Sequence, residues 1–231
     1  MRLIHFLAPA LFASSAFAQE ARPIECRFLA FGVKDDAAAI AVGGKGEDIP
    51  CPLPTSQISK KVTCTAKDGK IPFLFAADRK PMATASIPSG VNSALVVFVS
   101  LEKPGATTEP SAGWKIFVIE DSAKSFPDGG AYVANFYSSE IRFTIGEHKG
   151  MLKAAGSHGY ALPKERDDFN MAPVIFEFNN GGKWRTANES SLRFLPGMRY
   201  LIFAYVDPVS GRPKINTYQD MAGPPKEEAK P

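Results

Sequence analysis

Pro88-Ser-Gly-Val-Asn-Ser-Ala-Leu-Val-Val-Phe-Val-Ser-Leu-Glu-Lys-Pro104 opens on a Pro/Gly turn, runs through mostly β-branched and aromatic residues, and closes on a second proline. Pro196-Gly-Met-Arg-Tyr-Leu-Ile-Phe-Ala-Tyr-Val-Asp-Pro208 repeats the plan. A short continuous apolar run between turn signals reads as a strand covered on both faces. Two such strands, about a hundred residues apart, point to two cores built alike.

The residues around the first run are strand-like as well. Ile24 to Phe31 begins with apolar and charged residues in alternation, and Ala37 to Val42 stops at Gly43-Gly44-Lys45-Gly46. Pro50-Cys-Pro-Leu-Pro54 carries too much proline for a central strand and belongs on an edge. Val62 to Ala66 alternates, and Asp68-Gly69 is a hairpin turn signal. Ile71 to Phe75, Met82 to Ile87, Ala94 to Leu101 and Trp114 to Ile119 bring the first half to about eight short strands, the density of an immunoglobulin-like sandwich. Ser122 to Gly130 reads as a linker, after which the pattern restarts. Ala131 to Phe136, Ile141 to Ile145, a hairpin around Gly156-Ser157, Pro173 to Phe178, Lys183 to Ala187, Leu192 to Leu195, Tyr200 to Val206 and Lys214 to Tyr218 follow.

Local sequence agrees between the halves. Lys115-Ile-Phe-Val-Ile-Glu-Asp121 aligns with Lys214-Ile-Asn-Thr-Tyr-Gln-Asp220, and Pro72 to Phe75 with Pro173 to Phe176. The expected fold is all-β: two tandem antiparallel immunoglobulin-like β-sandwich domains, 24–121 and 129–220, from an internal duplication. One larger sandwich is the alternative. The tail, 221–231, has no large apolar residue beyond Met221 and is expected to be disordered.

The N-terminus reads as an export signal over 1–18. Arg2 supplies the charge, Leu3 to Phe12 the apolar stretch and Ala16-Phe17-Ala18 the small-residue cleavage site. The expected location is periplasmic or secreted, with no membrane span. Hydrophobic residues make up 45% of the chain, ample for a core, while 19 Gly and 19 Pro favour short strands joined by turns. A net charge of +3 is too small and too evenly spread to argue for nucleic acid. Export permits disulfides, and the three cysteines all lie in the first half. Cys51 and Cys64 flank a hairpin-like centre at Gln57-Ile58 and are the first pairing to expect. Cys26 with Cys64 is the second reading, and three free buried thiols the third.

The signals for chemistry are weak. Gly43 to Gly46 lacks the Ser or Thr that a phosphate loop needs after its Lys, so it reads as a turn. His148 and His158, with Glu147, fall short of a convergent set of metal ligands, and strand-end histidines are the plainer account. Ser157 and His158 are strand neighbours facing opposite ways, so they cannot share a proton. Asp35-Asp36 and Asp167-Asp168 sit in polar turns. Trp114, Trp184, Tyr137 and Tyr160 are the candidate ligand-contacting residues, the kind of rings that stack on sugars.

Asn135-Phe-Tyr-Ser-Ser-Glu-Ile-Arg-Phe-Thr-Ile-Gly146, continuing through Leu152-Lys153 to Gly156-Ser157, resembles a pattern in uncharacterised exported bacterial tandem β-sandwich proteins. It departs at Ala154-Ala155, where that pattern carries Pro. The resemblance implies an exported all-β protein and transfers no catalytic residue or cofactor. The functional expectation is a non-catalytic envelope or extracellular module that binds or scaffolds a protein or glycan. A carbohydrate-binding module, an enzyme of unfamiliar type, and an inhibitor or assembly factor acting through Lys164 to Asn170 are the alternatives.

Overall fold

The computed structural model describes residues 21–33, 35–43, 46–100 and 113–221. The expected signal segment lies outside them, as does the expected tail apart from Met221. Among the described residues there are sixteen strands and no helix. None of them forms a helix long and apolar enough to cross a membrane.

The first eight strands are β1 (Ala21–Phe31), β2 (Ala37–Val42), β3 (Asp48–Leu53), β4 (Val62–Lys67), β5 (Lys70–Phe75), β6 (Pro81–Ser86), β7 (Ser93–Ser100) and β8 (Trp114–Glu120). Hydrogen bonding links them in the order β3-β2-β5-β4-β1-β7-β8, with β6 on β5. The β4–β5 pairing is confined to Lys67 and Lys70 around the Asp68-Gly69 turn. The sheet therefore folds there into two leaves, β3-β2-β5-β6 and β4-β1-β7-β8. Cys26, Phe28, Ala41, Leu53, Cys64, Phe73 and Phe98 fill the space between them. β3 is the edge, and Pro50 and Pro52 are exposed while Cys51 and Leu53 are buried.

The second eight are β9 (Ala131–Asn135), β10 (Ile141–Ile145), β11 (His148–Leu152), β12 (Ser157–Tyr160), β13 (Met171–Asn180), β14 (Lys183–Arg193), β15 (Arg199–Val206) and β16 (Pro213–Asp220). They form two sheets, β11-β10-β13-β14 and β12-β9-β15-β16. Val133, Phe143, Ile145, Phe176, Phe178 and Ile202 pack between them. Apart from the β4–β5 contact, which has no counterpart between β12 and β13, adding eight to each strand label of the first half gives the neighbours of the second. The return strand β14 continues through the stretch expected as a separate strand at Leu192. It absorbs a bulge opposite Phe176 and Glu177 and stays in register to Arg193.

Two of the pairings are not antiparallel. β1 lies parallel to β7, and β9 parallel to β15. Alternation marks which face a residue occupies but carries no strand direction, so the sequence could not distinguish these pairs.

The continuous apolar runs have a direct cause. In β7, Ala94, Val96 and Phe98 point into the first core, while Leu95 and Val97 point the other way, into a third core shared by both halves. In β15, Tyr200, Ile202 and Ala204 serve the second core, and Leu201 and Phe203 the shared one. The leaves β4-β1-β7-β8 and β12-β9-β15-β16 thus pack back to back, making four layers in all. Aromatic edges fill one end of the seam. Phe31 lies 5.0 Å from Phe203, 5.1 Å from Tyr205 and 5.7 Å from Phe136, ring to ring.

The other end is closed by charge. Arg27 on β1 donates from Nε to Asp121 (3.0 Å) and from Nη1 and Nη2 to Asp220 (both 2.8 Å). Arg199, at the start of β15, donates to Asp121 (2.9 Å), to Asp220 (2.6 Å) and to the Phe126 carbonyl (2.9 Å). All four charged residues are at most 4% exposed. The two cations and two anions neutralise each other, the condition under which burial of charge is tolerated.

The expected linker is part of this seam. Phe126 is fully buried there, with the Arg199 guanidinium 4.0 Å above its ring. The segment runs so close to β12 that a Cβ on Gly159 would meet the Ser125 carbonyl at 2.1 Å. A Cβ on Gly130 would meet the Tyr160 carbonyl at 2.0 Å. Only glycine allows these approaches.

The Cys51–Cys64 disulfide is not formed, nor is the Cys26 alternative. All three cysteines are free and buried. β3 and β4 are not hairpin partners, because residues 54–61 carry the chain from one leaf to the other. Cys64 instead faces Ile24 across the β1–β4 ladder. Hydrogen bonding with Cys26, together with burial, pushes the Cys64 thiol up to about 12 against an opposing contact from Cys51. Contact with Cys64, then burial, also raises Cys51. Neutral thiols are poor nucleophiles.

Two outcomes follow for solution measurements. A thiol-specific disulfide reagent should leave all three cysteines unmodified in the native protein and titrate all three in denaturant. Asp220→Ala should cost about 3–5 kcal/mol in urea unfolding, because it leaves two buried guanidiniums sharing the single carboxylate of Asp121, one positive charge uncompensated. An unchanged midpoint would mean that the cluster does not hold the seam.

Candidate functional site

The richest concentration of functional residue types lies at one end of the second sandwich, where β12 leaves the sheet and residues 161–170 lead into β13. The Tyr160 ring sits 5.3 Å from Phe143, 4.9 Å from His158 and 5.8 Å from His148. β11 and β12 belong to different sheets, so the two histidines approach the Tyr160 ring from different sheets and are not paired within one hairpin. Among the described residues, no three of His, Cys, Asp and Glu converge as metal ligands would. Ser157 and His158 diverge as strand neighbours must. The serine hydroxyl hydrogen-bonds Tyr132 at 2.9 Å.

Glu147, in the tight turn between β10 and β11, anchors the following loop. Its carboxylate accepts the amides of Lys164 (2.9 Å) and Glu165 (3.1 Å). His148 Nε2 lies 3.0 Å from the Ala161 carbonyl. Partial desolvation pushes Glu147 up, but the amides of Lys164, of Glu147 itself and of Glu165 outweigh it, with His148 helping, and hold it at about 2. Further along, Arg166 turns inward and donates to the Phe194 carbonyl (2.8 Å). Asp167 accepts the amides of Phe169 (2.9 Å) and Met171 (2.8 Å). The stretch around Asp167-Asp168, expected as a polar turn, is therefore tied down through Glu147, Arg166 and Asp167. It holds Phe169 with 70% of its surface in water.

The four candidate aromatics are dispersed. Trp114 packs against the first core, with its ring 6.1 Å from Phe98. Tyr137 packs edge-on to Phe178 at 5.2 Å and donates to the Asn179 carbonyl. Tyr160 belongs to the loop end. Trp184 stands on β14 with the Arg142 guanidinium 4.7 Å above it, and that arginine grips Glu177 at 2.6 and 2.8 Å. No ring contact joins any two of the four among the described residues.

Sequence reasoning gave Asn135 no role. It is fully buried, and Nδ2 donates to the carbonyls of Ser139, Leu152 and Lys153 while Oδ1 accepts from Tyr137. One amide thus pins both turns of the Asn135 to Ser157 pattern. Beside it lies a half-open, mostly apolar cavity of ≈ 300 Å³, lined by Val99, Lys115, Phe117, Phe136, Tyr137 and Ala154 among others.

No family model matches this chain, and no curated protein is significantly similar to it. The Glu147 anchor has a measurable pH signature. Its folded value lies below the ordinary 4.5, so the stability it confers is complete above that pH and is lost as pH falls towards 2. Carboxyl NMR should place the Glu147 midpoint near 2, with the Lys164 and Glu165 amide shifts following it. Glu147→Gln should remove that coupled titration.

Proposed function

We propose that this chain is an exported, non-catalytic binding or scaffolding module built from two tandem immunoglobulin-like β-sandwich domains, 24–121 and 129–220, that arose by internal duplication. The recurrence of the strand order after a shift of eight labels supports the duplication, as does the matched Lys115–Asp121 and Lys214–Asp220 pair. Arg2, the apolar Leu3 to Phe12 stretch and Ala16-Phe17-Ala18 support export.

The observation that carries the functional reading is the seam. Two sandwiches joined by a buried charge cluster and an aromatic core form one preorganised body, which binds without the entropic cost of ordering its parts. The buried charges of the seam and the Glu147 carboxylate at the loop end are already engaged within the fold. Arg27, Arg199, Asp121 and Asp220 neutralise one another, and Glu147 holds backbone amides. A protein or glycan of the cell envelope is the partner class.

Carbohydrate binding is the second reading, favoured by Trp184 and Arg142 on the outward face of the β11-β10-β13-β14 sheet. Cross-linking of the purified protein into envelope extract should give a saturable complex of fixed stoichiometry. A glycan array should be blank under the first reading and positive, with loss on Trp184→Ala, under the second. Turnover of an envelope component without a stable complex would overturn both.

A further inference from the structure

We propose that the protein assembles head to tail with itself, Phe169 of one copy entering the seam cavity beside Phe117 and Phe136 of the next. The inference rests on the scaffold reading and specifies how a scaffold would be extended.

The two halves differ most informatively at one connection. Between β4 and β5 the chain turns through Asp68-Gly69 alone, whereas residues 161–170 intervene between β12 and β13. Connections that protrude from a rigid frame are where recognition concentrates. This one is ordered in advance by Glu147, Arg166 and Asp167, so little freedom is lost on binding. It displays a 70% exposed phenylalanine, the kind of aromatic anchor that dominates interfaces.

Charge specifies what the anchor enters. Within the loop, Glu165, Asp167 and Asp168 are exposed around Phe169 against one exposed cation, Lys164, with Arg166 turned inward; exposed Arg193 faces Met171 across the ladder, leaving the anions in excess. The fitting receptor is an apolar pocket with a cationic rim. The same chain carries one. Val99, Phe117, Phe136, Tyr137 and Ala154 line the ≈ 300 Å³ cavity, large enough for a phenyl ring. Lys115 stands on its wall, and exposed Lys153 precedes Ala154.

The ladder places anchor and pocket apart. Ala131, where β9 starts, pairs with Tyr160 at the root of the loop, whereas the cavity lies at the far end of β9, by Asn135 and Phe136. The loop cannot reach its own pocket, so the contact joins different copies. Because anchor and pocket are different surfaces at opposite ends of the sandwich, the head-to-tail contact is heterologous, and each copy offers a free anchor and a free pocket to further copies, giving a ring or an open chain.

Sedimentation velocity from about 10 µM to about 1 mM tests this, the range expected for a small single-anchor contact. The wild-type weight-average coefficient should rise with concentration and pass the dimer value. Phe169→Ala, which retains the pocket, and Ala154→Trp, which fills it, should each be monomeric, while their equimolar mixture should stop at a dimer. Lys115→Glu should weaken association about tenfold or more, and Asp168→Lys in the same chain should restore it. Urea unfolding of each variant confirms that the fold is kept. A monomeric wild type at the highest concentration overturns the proposal, as does a Phe169→Ala protein that associates normally or a mixture that polymerises. Those results would leave the envelope-binding reading standing, since that is measured by cross-linking to other components.

Discussion

Arg27, Arg199, Asp121 and Asp220 come from four strands or strand ends, and they meet where almost no water reaches. The sequence separations they span run from 21 to 193 residues. Compared with well-packed apolar side chains, such a cluster adds little net stability. It does, however, penalise heavily any arrangement of the two inner sheets that separates its members. A shift of one residue would turn Arg27 into the first core among Cys26 and Phe28, with no anion to meet it. The cluster therefore sets the register of one half against the other, and the shared apolar core supplies the driving force.

Everything at the seam follows from that alignment. Once the inner leaves lie back to back, β7 and β15 lose contact with water on both faces and need apolar residues at every position. The outer leaves, solvated on one side, need only alternate residues. β13 and β14 show this contrast, with Val174, Phe176 and Phe178 inward and Glu177, Trp184 and Arg142 outward. The connecting segment 122–130 cannot be a free tether, because Phe126 completes the wall under Arg199. Two glycines, Gly130 and Gly159, let it lie against β12 without a gap.

The exposed features acquire meaning only against this rigid frame. Glu147 and Asp167 are carboxylates engaged by backbone amides, and their effect is to stiffen a loop. Among the described residues Phe169 is the one phenylalanine largely left in water, and the cavity by Phe117 is an apolar recess at the opposite end of β9. Their separation in one rigid body is what makes an intermolecular pairing geometrically natural.

By itself, the sequence determined the all-β class, the positions of most strands and turns, the edge placement of the proline-rich β3, and the double burial of the strands after Pro88 and Pro196. These are local properties: a period of two, a proline or a turn dipeptide acts on its immediate neighbours. Only the tertiary structure decided that β1 runs parallel to β7, that Cys51 and Cys64 lie in different leaves, and that Phe126 is a plug. It alone brought Arg27 to Asp220 and Trp184 under Arg142. Alternation says which face a side chain takes and nothing about which distant strand covers that face. Partner choice is settled by the collective fit of charge and volume, which no short window of the chain contains.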